Sequence, residues 1–423
     1  MSSLTIYPSS LRGAVRIPAS KSHTIRALLI ATLADGTSNL GNPLNSGDTQ
    51  SCVRACQAFG ADIAISGAHW RVRGNAGNVQ VPATPIDVGN SGTTLYFAMA
   101  TAALAHAPIT LTGDYQIQRR PATALLTALN DLGARATALH GNGCAPVEIC
   151  GPLRGGTTTL ACPTSQYLSS LLINCPLAVG ASEIVVPLLN EKPYVEMTLE
   201  WLARQNTVLV NDNFGRLSIP GGQQYQAFSR DIPADFSSAT FFLVAAAITG
   251  GDVTLNGLDM TDSQGDKAVV AMLQAMGAKI EIAADSIRVR GGDLQGCELD
   301  LNATPDALPA LAVAGCFARG ETRLVNVAQA RIKETDRIAV MCTELAALGA
   351  AIEELPDGLV IKESALRGGT VVSHDDHRVV MALAVAGLRA AGPVTINGAD
   401  ALHITFPNFA ELLQALGAQY RIG

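Results

Sequence analysis

The chain has 423 residues, enough for two domains with substantial cores, and 48% of them are hydrophobic while only 15% are charged. Its 36 acidic against 29 basic side chains leave a net charge of -7, which provides no general basic face for nucleic acid. Nine cysteines without a C-x-x-C pair predict reduced thiols rather than a disulfide framework, and no apolar run is long enough to span a membrane. The expectation is a cytoplasmic protein without a signal peptide.

In chain order, six segments are apolar nearly all round: residues 21–36 (KSHTIRALLIATLADG), 90–107, 164–180, 235–251, 304–320 and 375–392. They predict buried helices. A second, amphipathic pattern runs in step with them and ends alike each time, as in CQAFGADI, LNDLGARA, LQAMGAKI, LAALGAAI and LQALGAQY, with LARQNTVLV as a weaker copy. Gly60, Gly133, Asn206, Gly277, Gly349 and Gly417 mark these endings roughly 70 residues apart, the spacing of a structural repeat. Each ending predicts a helix, a C-terminal cap and then a strand. The chain therefore reads as six similar α/β units of two helices and several short strands, in two domains of three units each.

The buried segments begin with helix-capping residue types: Ser20 and Ser22, Asn90 and Ser91, Thr164 and Ser165, Asp235 and Ser237, Thr304 and Asp306, Asp375 and Asp376. Free N–H groups and helix dipoles at such starts would trap anions. Charged residues accompany them at Lys21, Arg26, Arg119, Arg120, Lys192, Lys333, Glu334, Asp336, Arg337, His377 and Arg378. Taken alone, the dense stretch RIKETDR at 331–337 would be a solvated helix face. Its recurrence beside the other small-polar and basic clusters points instead to a site for anions.

The stretches PASKSHTIRALL (18–29), GNSGT (89–93), RRP (119–121), TSQYL (164–168), KPY (192–194), DFSSATFFLVAAA (235–247), PD (305–306), RIKETDR (331–337), DDHRVVM (375–381) and TFPNF (405–409) resemble, in order, the 5-enolpyruvylshikimate-3-phosphate (EPSP) synthase family. The resemblance implies a two-domain inside-out α/β barrel built from six βαβαββ-type units. It places residues 1–19 and 231–423 in one domain and 20–230 in the other, with the active site in a cleft between domains that closes on its ligands. It also implies transfer of the enolpyruvyl group of phosphoenolpyruvate (PEP) to the 5-hydroxyl of shikimate 3-phosphate, with no metal or other cofactor. The partners are small anionic substrates, without nucleic acid or membrane, and the expected state is a monomer.

Carried over by position, Lys21, Asp306, Glu334 and His377 resemble the catalytic residues. Ser22, Arg26, Thr164, Ser165, Gln166, Tyr194 and Lys333 resemble the shikimate-side contacts, and Lys21, Asn90, Gly92, Arg120, Arg337 and Arg378 the PEP-side contacts. Other positions depart from the family pattern. Ile404 stands where the family has lysine, and Tyr96 and Gln116 where it has arginine; Gly47 replaces an acid, Glu191 a serine and Gln329 an asparagine. Loss of three cations predicts reduced or altered use of PEP, and Glu191 predicts repulsion of a substrate anion unless it has a partner. The alternative is a diverged homologue that eliminates phosphate from a shikimate-like cyclic polyol phosphate. His23 and His403 are candidate replacement donors near the site.

Overall fold

The structure, a computed structural model, describes residues 2–423. The chain forms two compact units: residues up to Ser20 with Pro233–Gly423, and Lys21–Ile232. It is a mixed α/β fold with six four-stranded sheets, and among the described residues none of these sheets closes on itself as a barrel.

The six sheets share one plan, in which a parallel pair is extended by two antiparallel strands. In one of them Gly156–Thr159 runs parallel to Ser182–Val185, which pairs antiparallel with Arg216–Ile219, itself antiparallel to Val210–Asp212. A parallel pair needs a crossover, and here the Ser165–Asn174 helix supplies it. The same plan recurs with Glu298–Asp300, the Leu308–Cys316 helix, Glu321–Val325, Gly358–Lys362 and Ala351–Leu355 in the other unit.

Two sheets exchange their first strand. Arg12–Arg16 runs parallel to Asp252–Asn256, with Val15 opposite Leu255. Ser229–Asp231 runs parallel to Thr37–Gly41, with Arg230 opposite Leu40. These exchanges coincide with the two passages of the chain between units. The passages are tied together within the first unit, where Ser20 N donates to the Pro233 carbonyl at 2.8 Å and Asp235 N to the Pro18 carbonyl at 2.9 Å.

Four of the segments that are apolar all round are crossover helices within a sheet, the Lys21–Leu33 and Phe236–Thr249 helices lead from one sheet to another because of the strand exchange, and all six lie in the interiors. Every residue from Phe236 to Ile248 is buried, as is every residue of Leu308–Cys316 and His377–Gly387. Phe242, Phe406 and Phe409 stack with ring centroids 5.5 to 5.8 Å apart. Part of the TFPNF motif is therefore a core anchor, each aromatic pair adding about 0.5–1.5 kcal/mol beyond its buried area. The amphipathic helices end as their sequences require, for Gly60, Gly133, Asn206, Gly277, Gly349 and Gly417 all have positive φ, between 55° and 102°. Such a backbone is open to glycine, and to asparagine at small cost, which explains the recurring residue. Among the described residues no helix is long and apolar enough to cross a membrane.

Candidate active site

Within Lys21–Ile232, the Gly92–Ala102 and Ser165–Asn174 helices pack side by side, joined by Ser170 Oγ donating to the Tyr96 carbonyl at 2.6 Å. Their N-termini meet where Gln166 Nε2 donates to Thr93 Oγ1 at 2.9 Å. Ser91 and Thr164 cap them, accepting from Thr94 N and Gln166 N. Asn90 is fixed just before the first helix by donating to Asp114 (2.6 Å) and to Gln116 Oε1 (2.5 Å). Arg120 is buried and lies across Gly92: a Cβ there would fall 2.1 Å from Nη1. Asn90, Gly92, Arg120, Thr164, Ser165 and Gln166 thus gather around two adjacent helix starts, the kind of place where an anion is held in proteins.

Lys21 opens the Lys21–Leu33 helix, and its Nζ is 3.1 Å from the buried Asp48 carboxylate. Five residues on, Arg26 is 2% exposed and donates to Thr198 Oγ1 at 2.8 Å, the Ser22 carbonyl at 3.0 Å and the Tyr194 carbonyl at 2.8 Å. Its guanidinium also lies 5.3 Å from the Phe97 ring centroid. Burial among neutral acceptors pulls the Arg26 pKa down to about 10. Arg26 thereby links Ser22 and Tyr194, two of the other shikimate-side positions. His23 points elsewhere: its Nδ1 accepts from the Trp201 indole at 2.9 Å. Lys192 is half exposed and lies over the Phe214 ring.

In the other unit RIKETDR is not one helix. It runs from the end of a short 3-10 turn, Ala328–Ile332, into the Arg337–Ala347 helix. Arg331 ties down the turn by donating to Asp336 (2.7 Å) and to the Leu355 and Pro356 carbonyls. Asp336 also caps the helix by accepting from Ala339 N. Arg337 is 1% exposed and meets three carboxylates: Asp306 at 2.8 Å, Glu334 at 2.5 Å and Asp376 at 2.8 Å. Burial opposes its charge, but Asp376, Glu334 and Asp306 outweigh burial and push its pKa far above the usual range. Arg378 Nη2 is 2.9 Å from the other oxygen of Asp306, so one carboxylate bridges two guanidinium groups. His377 starts the His377–Gly387 helix, is fully buried and places Nδ1 4.0 Å from Asp376. Lys333 is half-buried in the loop beside Glu334.

Asp376, which the sequence marked only as a helix cap, is a further neighbour of these candidate residues. It is fully buried, and besides Arg337 it accepts from Thr335 Oγ1 at 3.1 Å and from Arg378 N at 2.9 Å. The departures from the family pattern also have partners. Tyr96 Oη donates to the Pro121 carbonyl at 3.0 Å, bracing the loop that carries Arg120. Gln116 accepts from Asn90, and Gln329 Nε2 donates to the Asn302 carbonyl at 3.0 Å. Ile404 packs against the core of its unit. Glu191 accepts from Thr164 and Ser165.

Two clusters of buried cations and helix starts, interleaved with carboxylates, define an enzyme for small anionic substrates. The sequence pattern of the EPSP synthase (3-phosphoshikimate 1-carboxyvinyltransferase) family matches residues 6–413, and the chain belongs to that family. It is 52% identical to the 3-phosphoshikimate 1-carboxyvinyltransferase of Acetivibrio thermocellus over 98% of both chains, and 50% identical to that of Ruminiclostridium cellulolyticum over 99% of both. The fold matches EPSP synthase from Acinetobacter baumannii with a TM-score of 0.84 and 27% identity over the whole of both chains.

Proposed function

We propose that the chain transfers the enolpyruvyl group of PEP to the 5-hydroxyl of shikimate 3-phosphate and releases phosphate. The observation that carries this reading is the bridging of Arg337 and Arg378 by Asp306, in a chain that belongs to the family throughout its length. In the reaction the hydroxyl oxygen bonds to C2 of PEP, the hydroxyl proton leaves and C3 gains a proton. Loss of phosphate from C2 and of a proton from C3 then restores the double bond. Asp306 takes the hydroxyl proton, Glu334 and Lys21 serve the C3 proton, and His377 steadies charge. Arg120, Arg337 and Arg378, with Lys21, Asn90 and Gly92, hold PEP. Ser22, Arg26, Thr164, Ser165, Gln166, Tyr194 and Lys333 hold the shikimate side. Charge-assisted contacts of this kind favour a phosphate that gains negative charge as it leaves.

The names of the relatives do not favour the elimination alternative. With Tyr96, Gln116 and Ile404 each packed or hydrogen-bonded, their effect is a weaker hold on PEP, expressed in KM. The test is phosphate release with both substrates and with each alone. The reading requires both, at a rate above about 1 per second. Release from shikimate 3-phosphate without PEP would establish elimination instead.

Gly92→Ala should raise the KM for PEP about tenfold with little change in melting temperature, because the new Cβ displaces the end of the Arg120 side chain and costs a charge-assisted contact. An unchanged KM would remove Arg120 from the PEP site. All nine cysteines are free in the structure, which supports a cytoplasmic compartment. The chain is proposed to act as a monomer, and a light-scattering mass of twice the chain's would overturn that.

A further inference from the structure

Glu191 occupies an unusual position. Its backbone is left-handed, with φ 58° and ψ 38°, immediately before the Lys192–Arg204 helix, and its side chain is 2% exposed. One oxygen, Oε2, accepts from Ser165 N at 3.0 Å, Ser165 Oγ at 2.8 Å and Thr164 Oγ1 at 3.2 Å. A backbone N–H and two hydroxyls at the start of a ten-residue helix are the donors that hold a phosphate oxygen in proteins. Here the chain's own carboxylate uses them.

We propose that Glu191 is a tethered stand-in for the phosphate of shikimate 3-phosphate, filling the N-terminus of the Ser165–Asn174 helix until the substrate displaces it, and so setting how strongly this enzyme prefers a phosphorylated ring. The proposal rests on the reading of Thr164 and Ser165 as shikimate-side contacts. Two anions cannot share one set of donors, so the incoming phosphate must break three hydrogen bonds to a carboxylate before it forms its own. Departure of Glu191 is eased by its backbone, since a non-glycine residue in the left-handed region is strained and gains by relaxing to an extended conformation. An unphosphorylated ring has no group that needs those donors and leaves Glu191 in place. The residue therefore subtracts from phosphate affinity alone.

The test is calorimetric binding of shikimate 3-phosphate and of unphosphorylated shikimate to the full chain and to the Glu191→Ser and Glu191→Gln variants. The serine variant is expected to bind shikimate 3-phosphate on the order of tenfold more tightly, equivalent to about 1.4 kcal/mol, with shikimate affinity unchanged. Glu191→Gln, which keeps shape and loses charge, gives a smaller gain of the same sign and serves alone if the serine variant does not fold. A merely structural Glu191 would lower the melting temperature and leave the ratio of the two affinities unchanged, and that result overturns the proposal. Binding is read separately from turnover: a wild type that binds shikimate 3-phosphate but releases no phosphate with PEP defeats enolpyruvyl transfer and leaves the role of Glu191 to be decided by the affinities.

Discussion

Asp306→Asn should lower kcat for phosphate release by about 10²- to 10⁴-fold, the range for loss of a positioned general base, while KM for PEP falls rather than rises. The opposite signs follow from geometry. Asp306 bridges Arg337 at 2.8 Å and Arg378 at 2.9 Å, the two guanidinium groups assigned to PEP in this unit. As long as the carboxylate holds both, an incoming anion has to compete with it. On the proposed roles, PEP that takes the arginines would release Asp306 from them and free it to accept the hydroxyl proton, so that substrate binding would itself ready the base. Asparagine keeps the volume and an acceptor oxygen but can neither compete as a charge nor take up a proton. Steady-state phosphate release over a PEP series reads both parameters. A kcat within tenfold of wild type would remove Asp306 as the base, and a raised KM would refute the competition.

The second large effect belongs to Asp376. Asp376→Ala should destabilise the protein by about 3 kcal/mol, the lower end of the cost of leaving a buried charge without its partner. The lower end applies because Glu334 and Asp306 still face Arg337. The carboxylate also accepts from Thr335 Oγ1 and Arg378 N, so its removal loosens the loop and the helix start that carry Glu334, His377 and Arg378. The measurement is urea unfolding, read as a shift in midpoint at constant slope. A loss below about 1 kcal/mol, the scale of an exposed ion pair, would show that Arg337 is held well enough by its other two carboxylates.

These two acids show what a single sequence can carry. The six helix endings were legible because a left-handed cap restricts the residue at that point to glycine or asparagine, a purely local demand. The inner helices were legible because burial on all sides leaves no polar stripe. Asp336, read only as part of the dense charged stretch at 331–337, pairs with Arg331 five residues away. Asp376 could be read as a helix cap but not as the partner of Arg337, 39 residues earlier in the chain. That pairing depends on how two helix starts pack. Glu191 could be read as an anion in need of a partner, but only the fold supplies the donors at Thr164 and Ser165. The resemblance places residues 1–19 with 231–423, but the pairing of Arg12–Arg16 with Asp252–Asn256 leaves no local mark, since the two strands meet only in the folded sheet.

The pairing of the first strands sets a schedule for biosynthesis. Ser3–Tyr7 lies between Val394–Asn397 and Gln419–Ile422, and Thr5 hydrogen-bonds Thr395 across 390 residues of chain. At the ribosome's pace of roughly 5–20 residues per second, that strand waits about 20–80 s for its neighbours to be made. Arg12–Arg16 waits for Asp252–Asn256 as well. Lys21–Ile232, whose sheets draw only on its own residues, is complete in the nascent chain long before then. The leading segment thus emerges first and docks last, with two strand edges open to wrong partners in the interval.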